Sequence, residues 1–458
     1  MLPGNPSSFR FFESWRIVEI EGGDELKSGD GHDQYTFMYK KEEDRTMGNK
    51  KGSQNGKRCF AQVFKLLVCL LIALSSFTAP EVFSASIPGV TEDTILIGIH
   101  NALTGPAALY SKVADLSEAL YLEWGKNIHG RNIKVIKLDD GGDPVKGIAA
   151  TKRLIYDDKV FLINACSVSN VALAVRPVVE KTGTPFLTQA AVADGIVTPV
   201  VKNIFNPGFV SSSASKTLVD FAMTMPGIKR VGIIRHTDEW AMALYKPLIE
   251  HLKEKYNMTP VVEVITERGV PDVTPQVLKL KNSNVDVVFS LIYIVDTTAF
   301  LRDAHKLGLD VPICGSTATS VTDQYESLRS LSPLKKYFAP YWCKYPLDHP
   351  KVKVYEDLFK KYQPSKKFDA VTVYITGAPL VIMDALKKCG RDLTQERFIQ
   401  TLETQYQNWE PENYIGATPI TFSPAKHIGM DRVAMSTIAA GKFEVVKTYQ
   451  DYEKLIKK

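Results

Sequence analysis

Ile95-Leu-Ile-Gly-Ile99 is a short, wholly apolar run, followed at once by His100-Asn-Ala-Leu-Thr104-Gly105-Pro106-Ala-Ala-Leu-Tyr110 and then by the amphipathic stretch Ser111–Lys126. A strand that is apolar at successive positions is buried on both faces, as in a parallel sheet covered by helices. Turn residues between such a run and a helical pattern mark a strand-to-helix connection. The unit recurs. Further runs are Ile133–Leu138, Val160–Asn164, Pro185–Thr188, Val231–Arg235, Val261–Ile265 and Val285–Leu291. Between them lie helical patterns at Pro144–Asp157, Ala214–Met225 and Trp240–Tyr256. The alternation predicts an α/β chain built as two doubly wound units.

Local signals place the helix starts. Asp143-Pro144 sets a capping carboxylate before a proline at the first helical position. Asp272-Val-Thr-Pro275 keeps its proline in a first turn, where the missing N–H is harmless. The break between units falls at Ile204-Phe205-Asn206-Pro207-Gly208, with further candidate crossings at Tyr337–Tyr341 and near Pro419–Pro424. No long flexible linker separates the units, which points to short crossings that act as a hinge. The expected division is 87–206 plus about 341–419 for lobe 1, and 207–340 plus about 420–458 for lobe 2. The apolar stretch Val371–Leu386 contains Gly377, Pro379 and Asp384 and reads as a kinked, buried helix rather than a membrane span.

The start of the chain reads differently. Met47 is followed by Lys50, Lys51, Lys57, Arg58 and Lys65, then by apolar Leu66–Leu74 and small residues Ser84-Ala85-Ser86. This is the plan of a secretory signal peptide, and the apolar run is short for a bilayer span of roughly 20 residues. Residues 47–86 are therefore expected to direct export, the alternatives being a membrane anchor or an internal core helix. Residues 1–46 are expected to be a mis-started, non-native extension. The exported chain of about 370 residues, 87–458, is long enough for two cores.

Charge excludes little beyond nucleic acid. Lys and Arg number 56 against 51 Asp and Glu, a net of +5, and the leader through Ser86 is balanced. The charges are interspersed without a basic block, so no nucleic-acid partner is expected. Of six cysteines, four follow the leader: Cys166, Cys314, Cys343 and Cys389. No two form a C-x-x-C pair, so neither a zinc nor a redox motif is present. One or two disulfides are open to an exported chain, with the pairing unassigned.

In open α/β sheets ligands sit at the carboxyl ends of strands. The loops there are Thr104–Tyr110, Asn164-Ala-Cys-Ser167-Val-Ser169-Asn170 and Thr188-Gln-Ala190-Ala191-Val192 in the first unit. Free amides and the positive helix end at such loops favour an anionic group such as a carboxylate. Ser169 and Thr104 can equally be plain helix caps. The second unit offers His236-Thr-Asp238-Glu239-Trp240, Leu291-Ile-Tyr293-Ile-Val-Asp296 and Cys314-Gly-Ser316-Thr317. Trp240 and Tyr293 can stack on a ligand, or they can be core packing.

These residues resemble a known family. Thr104-Gly-Pro106, Asp139-Asp-Gly-Gly-Asp-Pro144 and Cys166-Ser-Val-Ser169 follow three successive strands. With Phe300-Leu-Arg-Asp-Ala-His-Lys-Leu-Gly308 and Ile420-Thr-Phe-Ser-Pro424 they look like the branched-chain amino-acid (leucine/isoleucine/valine) type of periplasmic binding protein, the solute receptors of ABC importers. The likeness covers nearly all of 90–450. It implies the type I periplasmic binding protein fold: two Rossmann-like lobes, a ligand cleft between them and three hinge crossings. It also implies a periplasmic monomer that binds a small molecule, needs no cofactor or metal, and serves a membrane permease.

The family's pocket carries over unevenly. Its ligand-carboxylate serine matches Ser167, and the next loop matches Ala190, Ala191 and Val192, so a threonine hydroxyl of the pattern is missing. The aromatics match Tyr110, Trp240 and Tyr293. The acid that holds an α-ammonium falls at Thr317, which is neutral, and Asp296 is a displaced substitute. A buried ammonium without a carboxylate is costly. The expected ligand is thus a small carboxylate, either an amino acid held differently or an aromatic or aliphatic acid without the amine. A sensor subunit of the same fold is the second reading. An enzyme is the third, disfavoured because H-E-x-x-H, G-x-S-x-G and G-x-x-x-x-G-K-S/T are all absent.

Overall fold

The computed structural model describes residues 87–318, 336–374, 376–439 and 441–457. The expected leader at 47–86 and the extension at 1–46 lie outside the described residues. The first sheet is formed by β1 (Thr94–Asn101), β2 (Asn132–Asp139), β3 (Leu162–Ala165), β4 (Phe186–Thr188) and β5 (Ile204–Phe205). All its pairings are parallel, in the order β2-β1-β3-β4-β5. The intervening helices are α1 (Ser111–Trp124), α2 (Pro144–Lys152) and α3 (Ser169–Thr182).

The second sheet repeats the plan. It holds β6 (Val231–Arg235), β7 (Val262–Ile265), β8 (Val287–Leu291), β9 (Ile313–Gly315) and β10 (Tyr337–Tyr341), again parallel and in the order β7-β6-β8-β9-β10. Two antiparallel strands, β11 (Ala434–Ala439) and β12 (Lys442–Val446), extend it beyond β10. Its helices include α4 (Ser211–Ala222), α5 (Glu239–Tyr256), α6 (Thr274–Asn282) and α7 (Ile294–Leu307). Helices α8 (Pro350–Tyr362), α9 (Gly377–Cys389) and α10 (Gln395–Gln405) return to the first half, where α8 and α9 pack on α1. A last helix, α11 (Tyr449–Ile456), packs on β11 and β12.

The apolar runs behave according to their place. Central β3 and β8 are buried at every position. Edge strand β2 is not, and Lys134 and Lys137 interrupt it, as charges commonly guard a sheet edge. Asp143 caps α2 as its spacing predicts, accepting the N–H groups of Val145 at 2.8 Å and Lys146 at 2.9 Å. The expected kinked helix over Val371–Leu386 is corrected: α9 begins at Gly377, so Pro379 lies in the first turn and interrupts no hydrogen bond. The four cysteines after the leader are free and buried.

The two halves are joined by strand-like crossings. Asn206 donates its N–H to the His427 carbonyl at 2.9 Å, and Gly429 donates to the Asn206 carbonyl at 2.8 Å. The contact is close, since a Cβ on Gly429 would stand 2.6 Å from the Pro207 carbonyl oxygen. Tyr337–Tyr341 is itself β10 inside the second sheet. The chain passes back just after it, where Lys344 N–H meets the Ile415 carbonyl at 3.0 Å and Ala417 N–H meets that of Trp342 at 2.8 Å. The Pro419–Pro424 stretch packs on the first half, with Phe422 N–H bonded to the Tyr406 carbonyl at 2.9 Å. The third crossing comes after it, at His427–Val433. Val433 N–H then reaches the Thr217 hydroxyl at 3.3 Å.

Candidate functional site

The carboxyl ends of both parallel sheets open on one cavity of about 450 Å³. The first half contributes Tyr110 before α1, Ser167 to Asn170 at the start of α3, and Ala190, Val192 and Ala193 after β4. The second half contributes Asp238, Glu239 and Trp240 at the start of α5, Arg268 after β7, Tyr293 before α7, and Thr317 and Ala318 after β9. Seven of the eight residues singled out from the sequence therefore surround the same space. Ala191 does not: it is wholly buried in the core behind it.

Ser167 is presented by a sharp turn. Cys166 leaves β3 at a φ of +67°, a conformation that residues other than glycine seldom adopt. Its N–H donates to the His100 carbonyl at 3.1 Å, and its own carbonyl accepts from Ala190 and Ala191, both at 3.1 Å. Burial pushes the Cys166 thiol well above its ordinary pKa, and the charge of Asp140 adds to this, so the sulfur stays neutral. The next side chain, Ser167, is only 6% exposed, and its hydroxyl bonds to no described residue. An unpaired buried hydroxyl costs about 1–3 kcal/mol. Beside it are the first N–H groups of α3, which no helical carbonyl can take.

One expectation for this wall is corrected. The loop Ala190-Ala191-Val192 looks in sequence like a source of free amides. In the structure Ala190 and Ala191 N–H are spent on the Cys166 carbonyl, and Val192 N–H on the Ser169 hydroxyl at 3.2 Å. Ser169 also accepts from Ala193 at 3.2 Å, so it ties the β3 and β4 loops together. Val171 N–H, in the first turn of α3, is taken by the Asn170 side chain at 2.8 Å, so the donors left for an anion are the Ser167 hydroxyl and the N–H groups at the very start of α3.

The opposite wall is aromatic and charged. Trp240 and Tyr293 lie 4.3 Å apart between ring centroids, tilted by 30°. The Arg268 guanidinium sits 4.1 Å from the Tyr293 ring centroid. It donates through Nη2 to the Tyr293 hydroxyl at 2.8 Å and through Nε to Asp238 at 3.0 Å. Asp238 also caps α5 by accepting from Ala241 N–H at 3.0 Å. Burial opposes ionisation of Asp238, but the Ala241 amide and Arg268 together hold its carboxyl below the ordinary value. Burial, reinforced by the charge of Asp238, pushes the Tyr293 phenol up to about 12. The tyrosine thus keeps its proton.

Asp296 does not substitute for the missing acid at Thr317. It is 3% exposed, lies 3.0 Å from His236 Nε2 and accepts from Gly269 N–H at 2.7 Å. It is committed behind the wall and is absent from the cavity lining. Arg268 has no counterpart among the residues that sequence reasoning selected. It follows an edge strand, and only the β7-β6-β8 order brings it to Tyr293.

Comparison with known proteins agrees with this architecture. The sequence profile of a family described as periplasmic binding protein matches residues 94–442. A Leu/Ile/Val-binding protein of Rhizobium johnstonii is 24% identical over 258 residues, 55% of this chain and 69% of that protein. One from Escherichia coli is 22% identical over 257 residues, 54% of this chain and 64% of that protein, so under two thirds of this relative is spanned. Among solved structures, the leucine-binding protein LivK of Thermotoga maritima superposes with a TM-score of 0.62 at 18% identity, over 77% of this chain and 97% of that one. The branched-chain amino-acid substrate-binding protein LivJ of Streptococcus pneumoniae, solved with isoleucine, gives 0.61 at 17% identity over 77% and 99%. At these identities the structures speak for the fold, a type I binding-protein fold of two parallel-sheet lobes. The family profile spans most of the chain, and the chain belongs to the periplasmic binding protein family.

Proposed function

We propose that this protein is an extracytoplasmic solute receptor. It captures a small carboxylate-bearing ligand, an amino acid or an aromatic or aliphatic acid, between its lobes and hands it to the membrane permease of an ABC importer. The observation that carries this reading is the Ser167 hydroxyl, buried and without a partner among the described residues, beside the start of α3 and inside a cavity lined from both halves. A carboxylate there satisfies the hydroxyl and the free amides and meets the positive end of the helix dipole. The names of the Leu/Ile/Val-binding relatives support an amino-acid-like solute.

In this account the first lobe receives the ligand, and the second lobe swings on the crossings to add Trp240 and Tyr293. A ligand favours the closed form only through extra affinity for it, so both walls must contribute. The export signal expected at 47–86 agrees with work outside the cytoplasm, and the protein acts as a monomer. A thermal-shift screen of residues 87–458 against aliphatic amino acids and amine-free carboxylates tests the proposal. A ligand at about 100 times its dissociation constant adds about 2.7 kcal/mol of stability. Stabilisation by any of these acids supports the reading, and a flat response across all of them overturns it.

A further inference from the structure

The charge of the second wall specifies the far end of the ligand, granted that a carboxylate sits at Ser167 as proposed above. Arg268 uses Nε and Nη2 on Asp238 and Nη2 again on the Tyr293 hydroxyl. Its Nη1 group, with two N–H donors, bonds to no described residue. Tyr293 accepts from Arg268 and therefore keeps its own O–H free to donate. Three donors are thus left unspent on two bonded residues of the cavity lining.

The formal charge of this wall is nonetheless negative, since Asp238 and Glu239 outnumber Arg268 among its lining residues. A second carboxylate would meet that net charge, whereas a neutral oxygen would take the hydrogen bonds without the repulsion. The neighbouring surface is the Trp240–Tyr293 pair, whose ring faces suit a flat apolar body.

We infer that the receptor is specific for an aromatic acid that carries, opposite its carboxylate, a neutral hydrogen-bond-accepting oxygen held by Arg268 and Tyr293. Arg268 is then a specificity-determining residue. It tells an oxygen-bearing ring from a bare one, and so selects against purely aliphatic side chains.

The test is titration calorimetry of residues 87–458 with two matched pairs, benzoate against 4-hydroxybenzoate and phenylalanine against tyrosine. The inference predicts that the oxygen-bearing member of at least one pair binds about tenfold more tightly, as one net hydrogen bond allows. It predicts that Arg268→Met and Tyr293→Phe each erase most of this preference while the parent acid still binds. The melting temperature without ligand checks that both variants fold. Equal affinity within each pair would overturn the inference and leave the carboxylate reading intact. A preference that survives both substitutions would overturn the role of Arg268 and Tyr293. If no aromatic acid binds but aliphatic acids stabilise the protein in the wider screen, the aromatic class is wrong and the receptor reading stands. If nothing binds in either experiment, both fall.

Discussion

The two halves of the molecule share a sheet order and differ in what they place at its carboxyl edge. In each, a histidine at or just past the end of the first strand is buried against an aspartate: His100 of β1 with Asp140 at 2.8 Å, and His236 after β6 with Asp296 at 3.0 Å. Beyond this matched scaffold the walls diverge. Among the described residues the first wall presents no charged side chain, but hydroxyls, small apolar residues, the rings of Tyr110 and Tyr374, and a helix N-terminus. The second presents two aromatic rings, two carboxylates and a guanidinium. One wall is built to receive an anionic group with neutral donors, which costs no buried counter-charge. The other is built to cover and discriminate. The same fold unit, used twice, has been given two tasks by a few loop residues.

The comparison breaks first at Ser167. Ser167→Ala should weaken binding by about 10- to 100-fold, the range of a hydrogen bond to a charged group. The protein without ligand should be unharmed or slightly stabilised, because the orphaned hydroxyl is gone. Calorimetry paired with thermal melts separates the two effects, and unchanged affinity would remove the first wall from the account. On the second wall, Trp240→Ala should cost at least tenfold in affinity with the fold intact. Loss of folding in place of affinity would mark Trp240 as core.

A smaller and opposite effect is expected at the cavity residue that lacks its acid. Thr317→Glu should improve amino-acid affinity by several fold over the matching amine-free acid, as a restored ammonium partner requires. No relative gain would show that the neutral side chain is not what sets amine selection. The smallest effect concerns pH. The Asp238 carboxyl is held below its ordinary value of 3.8. Its pairing with Arg268 therefore stabilises the folded wall fully above that pH and is lost only as pH falls below it. Ligand affinity should accordingly stay flat from about pH 5 to 8. A step in affinity inside that window that disappears in Asp238→Asn would contradict the assignment.

Much of this was legible in the chain. Parallel strands covered on both faces must be apolar throughout, so runs such as Val285–Leu291 announced themselves, and the strand-to-helix loops pointed to the right edge. What escaped was whatever depends on contacts between distant segments. The amides at Ala190 and Val192 look available until the Cys166 carbonyl and the Ser169 hydroxyl, more than twenty residues earlier, are seen to consume them. Asp296 looks like a loop acid until His236, sixty positions away, claims it. Arg268 carries no local signal at all. Its partners Asp238 and Tyr293 lie thirty residues before it and twenty-five after. Periodicity reports burial on one element, and it cannot report which charged groups the sheet order brings face to face.

The most direct measurement is a crystal structure of residues 87–458 with the acid that stabilises it most. The account predicts the carboxylate between the lobes, within hydrogen-bonding distance of the Ser167 hydroxyl and the first amides of α3, with the rest of the ligand against Trp240 and Tyr293. A ligand whose carboxylate instead pairs with Arg268, or that binds outside this cavity, would contradict it.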